Sequence, residues 1–402
     1  MRLSIKAAIN QFQYEGDRLG FITSLRDLGH ESEEFILPDS MILFSPEHIR
    51  EVLTNTKAFT KRRSFVGEPS DEAGIERWMD CRKWSADILS MRGISSSNWA
   101  SRPALSSRAR EHIRLGDSVD ILASAMNFCA ETVGRLSFGN AYTRIAHYFP
   151  ELLNLLLPLV GRSYSLDAPW QRKHVLKMSE KFQESIKDIS QILSQGPFEP
   201  GTLVTHLRDL GRVPIFDRAL FLLGTNLAGH AVPAGPIAWT IFFVETNPNI
   251  KDRLIDELSN KIDRSTYLVA CLREAIRLMP PTWLLARDVA DLSATKLAIP
   301  ESIACVYVSS YAIGHSAALF DRPEVFDPLR YLSNECSHSF AFGAGPRACP
   351  GQALSMFEAK EYLACLYREY HIHLAVEPKS VTSDSTRTLL PNGLFLNIEP
   401  KK

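Results

Sequence analysis

A chain of 402 residues, 45% hydrophobic and 23% charged, can enclose a sizeable core, and its composition excludes a disordered or fibrous protein. A formal charge of −1 at pH 7 offers no basic surface for nucleic acid or for an anionic membrane. Seven cysteines, an odd number with no C-x-x-C pair, argue against a disulfide framework and for a reducing compartment in which one thiol has a special task.

The first ten residues hold no apolar run long enough for a signal or a membrane span, so the expectation is a soluble, cytoplasmic protein without a membrane anchor. Residues 16–29 read as an amphipathic helix closed by Gly29. Glu34 to Phe44 reads as two short strands around a Pro38-Asp39-Ser40 turn. Ser45 and Pro46 then supply an N-cap and a first-turn proline for the next helix. Lys61 to Ile75 is a polar loop whose apolar members are Phe65 and Val66. Trp78 and Arg82 follow on a helix, four apart and therefore on one face. Residues 117–139 and 146–195 read as helical, with leucine-rich faces and breaks at Gly139, Gly161 and Pro169; Asp167–Trp170 and Gln195–Gly201 read as loops. The apolar run Leu152–Val160 is too short to cross a bilayer.

Phe216 to Thr246 reads as one long apolar helix with Thr225, Ala228, Gly229, His230, Ala231 and Val232 near its centre. Pro233 and Pro236 remove backbone donors there, so a kink or a widened groove is expected. Ser265 and Thr266 open a capped helix that two prolines, Pro280 and Pro281, stop. Within it Glu274 and Arg277 are spaced to pair. Thr282 to Arg287 reads as a strand, Arg322 to Tyr331 as a loop, and Leu389 to Phe395 as a hairpin tip. Between these last two, Phe340 to Gly351 is a glycine-broken loop that delivers Cys349 to the start of a long helix running towards Tyr370, with Pro350 at the first helical position. A thiol at a helix N-terminus has its pKa lowered, and the thiolate is the form that binds metal.

Phe342, Gly345, Arg347, Cys349 and Gly351 resemble, position for position, the haem-binding loop of the cytochrome P450 superfamily, and the chain is similar to its soluble, bacterial-type haem-thiolate monooxygenases. The resemblance implies a mainly α fold with small β-sheets, a single triangular-prism-like domain over residues 1–402. It implies one haem b (iron protoporphyrin IX) with Cys349 as axial ligand, the thiolate favouring O–O cleavage. Phe342, Gly343 and Gly351 would frame the cofactor, glycine letting the backbone pass close beneath the porphyrin. Arg82 beside Trp78, Arg287 and Arg347 would hold the propionates. Glu274 and Arg277 would lock with Arg330 as fold-stabilising residues. Phe65, Val66, Phe221, Thr225, Leu284, Leu285 and Leu394 would line an apolar pocket, with a mobile lid near Asp167–Trp170. The implied partners are O2, a small apolar substrate such as a natural-product intermediate, and a separate ferredoxin- or flavodoxin-type donor fed by NAD(P)H; the implied form is a monomer.

The distal helix departs from the family pattern, which is Ala-Gly-x, an acid, then Thr. Ala228 and Gly229 are kept and would leave room for O2, but Ala231 and Val232 stand for the acid and the threonine. Neither carries a proton, so protons must come from the substrate, from ordered water on freed carbonyls, or from elsewhere. Alternatives are a peroxygenase, an isomerase or dehydratase, a coupling or cyclising oxidase, or a redox-silent binding homologue. His230 lies about 100° round the helix from Gly229, which favours a packed side chain over a replacement acid. Thr225, one turn before Gly229, is the better candidate substrate contact.

Overall fold

The computed structural model describes residues 17–27, 32–34, 39–61, 72–156, 169–259, 265–332, 339–383, 385 and 388–401. The fold is mainly helical with small sheets. Its internal contacts group the chain into two compact units, 1–62 with 269–349 and 63–268 with 350–402.

The first unit is built on a five-stranded sheet in the order Ser32–Glu34, Ser40–Leu43, Cys305–Ser309, Leu284–Val289, Phe59–Lys61. Ser40–Leu43 runs parallel to Cys305–Ser309, and the other pairs are antiparallel. All four residues of Ser40–Leu43 are buried, as a continuous apolar strand requires when both its faces are covered. The helix Pro46–Thr54 lays Ile49, Val52 and Leu53 on the same core, at the i, i+3, i+4 spacing that makes one apolar face. Ser45 is its N-cap by backbone geometry, and Pro46 its first residue.

The second unit is a helical body. Ile121–Phe138 packs along Ile215–Ala231, and Gln352–Glu369 packs on Arg102–His112. Glycine sets two of these approaches: a Cβ at Gly134 would collide with the Tyr142 ring, and one at Gly229 would stand 2.9 Å from Val133 Cγ2. A three-stranded sheet places Phe395–Pro400 between Gly116–Asp120 and Tyr370–Leu374. Among the described residues one stretch, Ile215–Glu245, is long and apolar enough to cross a membrane; 72% of its most apolar window is buried, which matches a core helix.

Several expectations need correction. Residues 116–120 form a strand, so the helix expected from 117 begins at Ile121. GDSVD is polar and mostly exposed; only pairing with Phe395–Pro400, distant in sequence, makes it a strand. Ile75 is helical, since Glu72–Trp84 starts inside the stretch read as a loop. Pro169 and Trp170 open the helix Pro169–Gln195, where proline suits the first turn. The single helix expected from 216 to 246 is two, Ile215–Ala231 and Ala234–Glu245. The long helix after Cys349 begins at Gln352, with Gly351 as its N-cap, so Pro350 precedes it.

Candidate active site

The cysteine loop belongs to the first unit. Backbone bonds fold it on itself: the N–H of Gly343 donates to Phe340 O (2.8 Å), that of Ala348 to Gly345 O (3.0 Å), and that of Cys349 to Phe342 O (2.8 Å). Gly343 and Gly345 both take positive φ, +69° and +68°. At Gly345 a side chain is excluded twice over, because a Cβ would also stand 2.9 Å from Leu53 O and Thr54 Cα. At Gly343 a Cβ would make only ordinary contact, 3.8 Å from Ala348 Cα, so there the positive φ alone favours glycine. Phe340 anchors the loop in the core, its carbonyl accepting from Ser310 Oγ (3.1 Å) and its ring beneath the Arg50 guanidinium. Arg347 ends a short 3-10 turn from Gly345 and is half-buried.

Of the six described cysteines none is in a disulfide, and Cys349 is the exposed one. Burial pushes Cys81 and Cys365 up to about 12 and Cys129 well above its ordinary value, so these thiols stay protonated. Among the described residues no group of three or more His, Cys, Asp or Glu could hold a metal ion. An iron carried by a tetrapyrrole needs one protein donor, which the exposed Cys349 could supply. The exposed thiol, on a loop held by its own backbone bonds, fits haem.

Arg287 lies in the strand Leu284–Val289, is buried, and donates through Nη1 to Ala286 O (2.9 Å); Leu284 and Leu285 are half-buried on the same strand. Glu274 and Arg277 form a bidentate pair (2.7 and 2.8 Å), and Arg330 reaches the same carboxylate at 3.3 Å. The N–H of Asp327 donates to Glu274 Oε1 (2.9 Å). Arg277 also donates to the carbonyls of Gly314, Pro323 (2.7 Å) and Val325 (3.2 Å). Both partners of the pair are buried, and every face of the ion pair is hydrogen-bonded, which is what makes such a pair tolerable away from water.

In the second unit the Arg82 guanidinium stacks 5.0 Å from the Trp78 ring, and Trp78 meets Phe221 edge-on at 5.8 Å. Phe221 is fully buried in the core cluster, so it backs Trp78. Arg77 pairs with Asp217 at 2.6 Å and ties Glu72–Trp84 to Ile215–Ala231, a link that sequence spacing does not reveal.

On the helix Ile215–Ala231 and its continuation, Thr225, Ala228, Gly229 and Val232 are partly or fully accessible, while Phe221, Leu222, Leu223, Asn226, Leu227, His230 and Ala231 are buried. The spacing i, i+3, i+4, i+7 makes the accessible set a single stripe. Thr225 Oγ1 donates to Phe221 O (2.8 Å), so its hydroxyl keeps acceptor capacity only. Ala231 is off the stripe, so position 231 points into protein. The small size of Gly229 also serves packing against Val133, beyond the role expected of it. His230 is buried, and desolvation lowers its pKa to about 4; it is a neutral, packed side chain. Leu394 is buried next to Gly393, whose φ is +78°. Phe65 and Val66 lie outside the described residues.

A family model described as "Cytochrome P450" matches residues 220–398. The probable cytochrome P450 4s3 of Drosophila melanogaster is 34% identical over 452 aligned positions that take in 96% of this chain and 89% of that protein. The chain belongs to the cytochrome P450 family. P450 4c3 of the same insect is 28% identical over 193 positions, covering 43% of this chain and 36% of its own length. Mouse P450 4X1 is 27% identical over 195 positions, covering 43% and 37%. The matched part thus spans little more than a third of these two relatives. These are animal proteins, so the expected kinship with bacterial-type P450s is not what the matches show. The family is one of haem-thiolate oxidoreductases.

Proposed function

We propose that this P450 is a haem-thiolate monooxygenase that oxidises a small apolar metabolite, such as a natural-product intermediate, with O2 and electrons from a separate protein donor. The observation that carries this reading is Cys349: among the described thiols it alone is exposed, on a loop whose glycines and backbone bonds hold it outward. When bound, haem supplies the redox chemistry, with thiolate donation favouring O–O cleavage. Arg82, Arg287 and Arg347 are the cations assigned to the propionates, a task suited to the planar guanidinium fork. Trp78 orients Arg82 by stacking. The stripe of Thr225, Ala228, Gly229 and Val232 offers an apolar substrate a surface with one hydroxyl. The six described thiols, none of them in a disulfide, support a reducing compartment such as the cytoplasm. A ferredoxin, a flavodoxin or a flavoprotein reductase would each serve as donor.

The stripe also favours a second reading. It carries no group that gives up a proton near neutral pH, so the chemistry is either substrate-assisted monooxygenation or a haem-thiolate reaction of another kind, such as peroxygenation, isomerisation or oxidative cyclisation. Reconstituted turnover separates these. Oxygen-dependent product that tracks electron consumption supports the monooxygenase. Product from ferric enzyme without oxygen or electrons would overturn it in favour of an isomerase or dehydratase.

A further inference from the structure

Buried polar atoms without a partner are rare in folded proteins, and two stand one helical turn apart in the distal helix. Asn226 is 1% exposed and His230 5%, and among the described residues neither Asn226 Oδ1 nor His230 Nδ1 meets a hydrogen-bond partner. The rest of Asn226 is fixed: Nδ2 donates to Leu222 O (2.8 Å) and to Ser137 Oγ (3.0 Å) on the helix Ile121–Phe138. A flipped amide would set its oxygen against the Leu222 carbonyl, so Oδ1 is the atom left wanting a donor. Side chains at i and i+4 leave the helix about 6 Å apart on one face. Two that do not touch can be joined by one small molecule with two hydrogens to give.

We propose that Asn226 and His230 form a binding site for a single internal water at the seam between the helices Ile121–Phe138 and Ile215–Ala231. The water donates one hydrogen to Asn226 Oδ1 and the other to His230 Nδ1. That bond places the imidazole proton on Nε2 and holds the ring in one tautomer. The site is off the accessible stripe of Thr225, Ala228, Gly229 and Val232, so its water is separate from any solvent displaced by substrate. It lies in the last turn before the break at Val232–Pro233, where the helix has lost two backbone donors to proline. Ser137, Asn226, the water and His230 together make one polar chain that fastens this turn to its neighbour. Asn226 and His230 are positioning residues in this scheme.

Two measurements on the haem-loaded protein test the proposal. A high-resolution crystal structure should show an ordered water within about 3.2 Å of both Asn226 Oδ1 and His230 Nδ1. A dry gap, or a direct bond between the two side chains, would overturn the site. In urea unfolding, His230→Phe should lower the midpoint, because it strands the water, while His230→Gln, which keeps a polar end, should recover most of the loss. A midpoint for His230→Phe equal to or above that of the parent would show that Nδ1 was dry, and a Gln variant no better than Phe would show that packing alone had been disturbed. Both measurements are independent of the reaction catalysed.

Discussion

At the scale of single residues, Cys349 and His230 are opposites in how burial sets their chemistry. Cys349 is presented by a loop, so its thiolate can serve a metal; Cys349→Ser is expected to abolish the red-shifted thiolate Soret band of the reduced carbon-monoxide complex while leaving the protein folded. Persistence of that band in the variant would remove the axial-ligand assignment. His230 is held neutral, with a pKa lowered to about 4 by desolvation. The unfolded chain binds its proton near pH 6.5 and the folded chain only near pH 4, so the penalty is absent above pH 6.5 and grows as pH falls between those values. It reaches about 3 kcal/mol at most, from about 1.36 kcal/mol per unit. The difference in unfolding free energy between parent and His230→Phe should therefore shift in favour of the variant as pH is lowered from 7.5 to 4.5. A difference that stays constant with pH would mean that the imidazole is solvated. The sequence already argued for a packed histidine, from its angle to Gly229. It gave no sign that Asn226, a polar residue in an apolar helix, would share its face with an unmet acceptor.

At the scale of elements, the proline break and the buried ion-pair node matter most. Val232 sits on the accessible stripe and Ala231 does not, so restoring a hydroxyl is structurally cheap only at Val232. Val232→Thr should raise the product formed per electron consumed with substrates that lack a proton-donating group, and lower peroxide release. Unchanged coupling would place the proton source elsewhere. Glu274 takes hydrogen bonds from Arg277, Arg330 and Asp327, so Glu274→Gln should destabilise by about 3–5 kcal/mol and reduce haem retention, read from the urea midpoint and the Soret-to-protein ratio. A loss under about 1 kcal/mol would mean that the node behaves like an exposed pair. The break at Pro233 and the spacing of Glu274 and Arg277 were legible because both are local: proline removes its own donor, and a helix fixes its own i, i+3 geometry. The strand Gly116–Asp120 and the Arg77–Asp217 pair were not, because each depends on a partner far along the chain. The cap of the helix Thr266–Leu278 shows the same limit. Beside the expected Ser265, the Glu257 carboxylate accepts from the N–H groups of Tyr267 (2.7 Å) and Leu268 (3.0 Å), which the local sequence does not reveal.

At the scale of the molecule, each compact unit has its own buried cluster, one around Ile49, Val306 and Phe340, the other around Phe138, Phe149 and Leu222. The parallel pairing of Ser40 with Cys305 has a consequence during biosynthesis. At about 5–20 residues per second, a nascent chain carries the apolar strand Ser40–Leu43 for roughly ten to fifty seconds before its neighbour leaves the ribosome. Throughout that interval the strand edge that Cys305–Ser309 will cover is unpaired, a template for aggregation. Cys349 is translated later still, so the thiolate is on offer to iron only after both strands of the pair have been made.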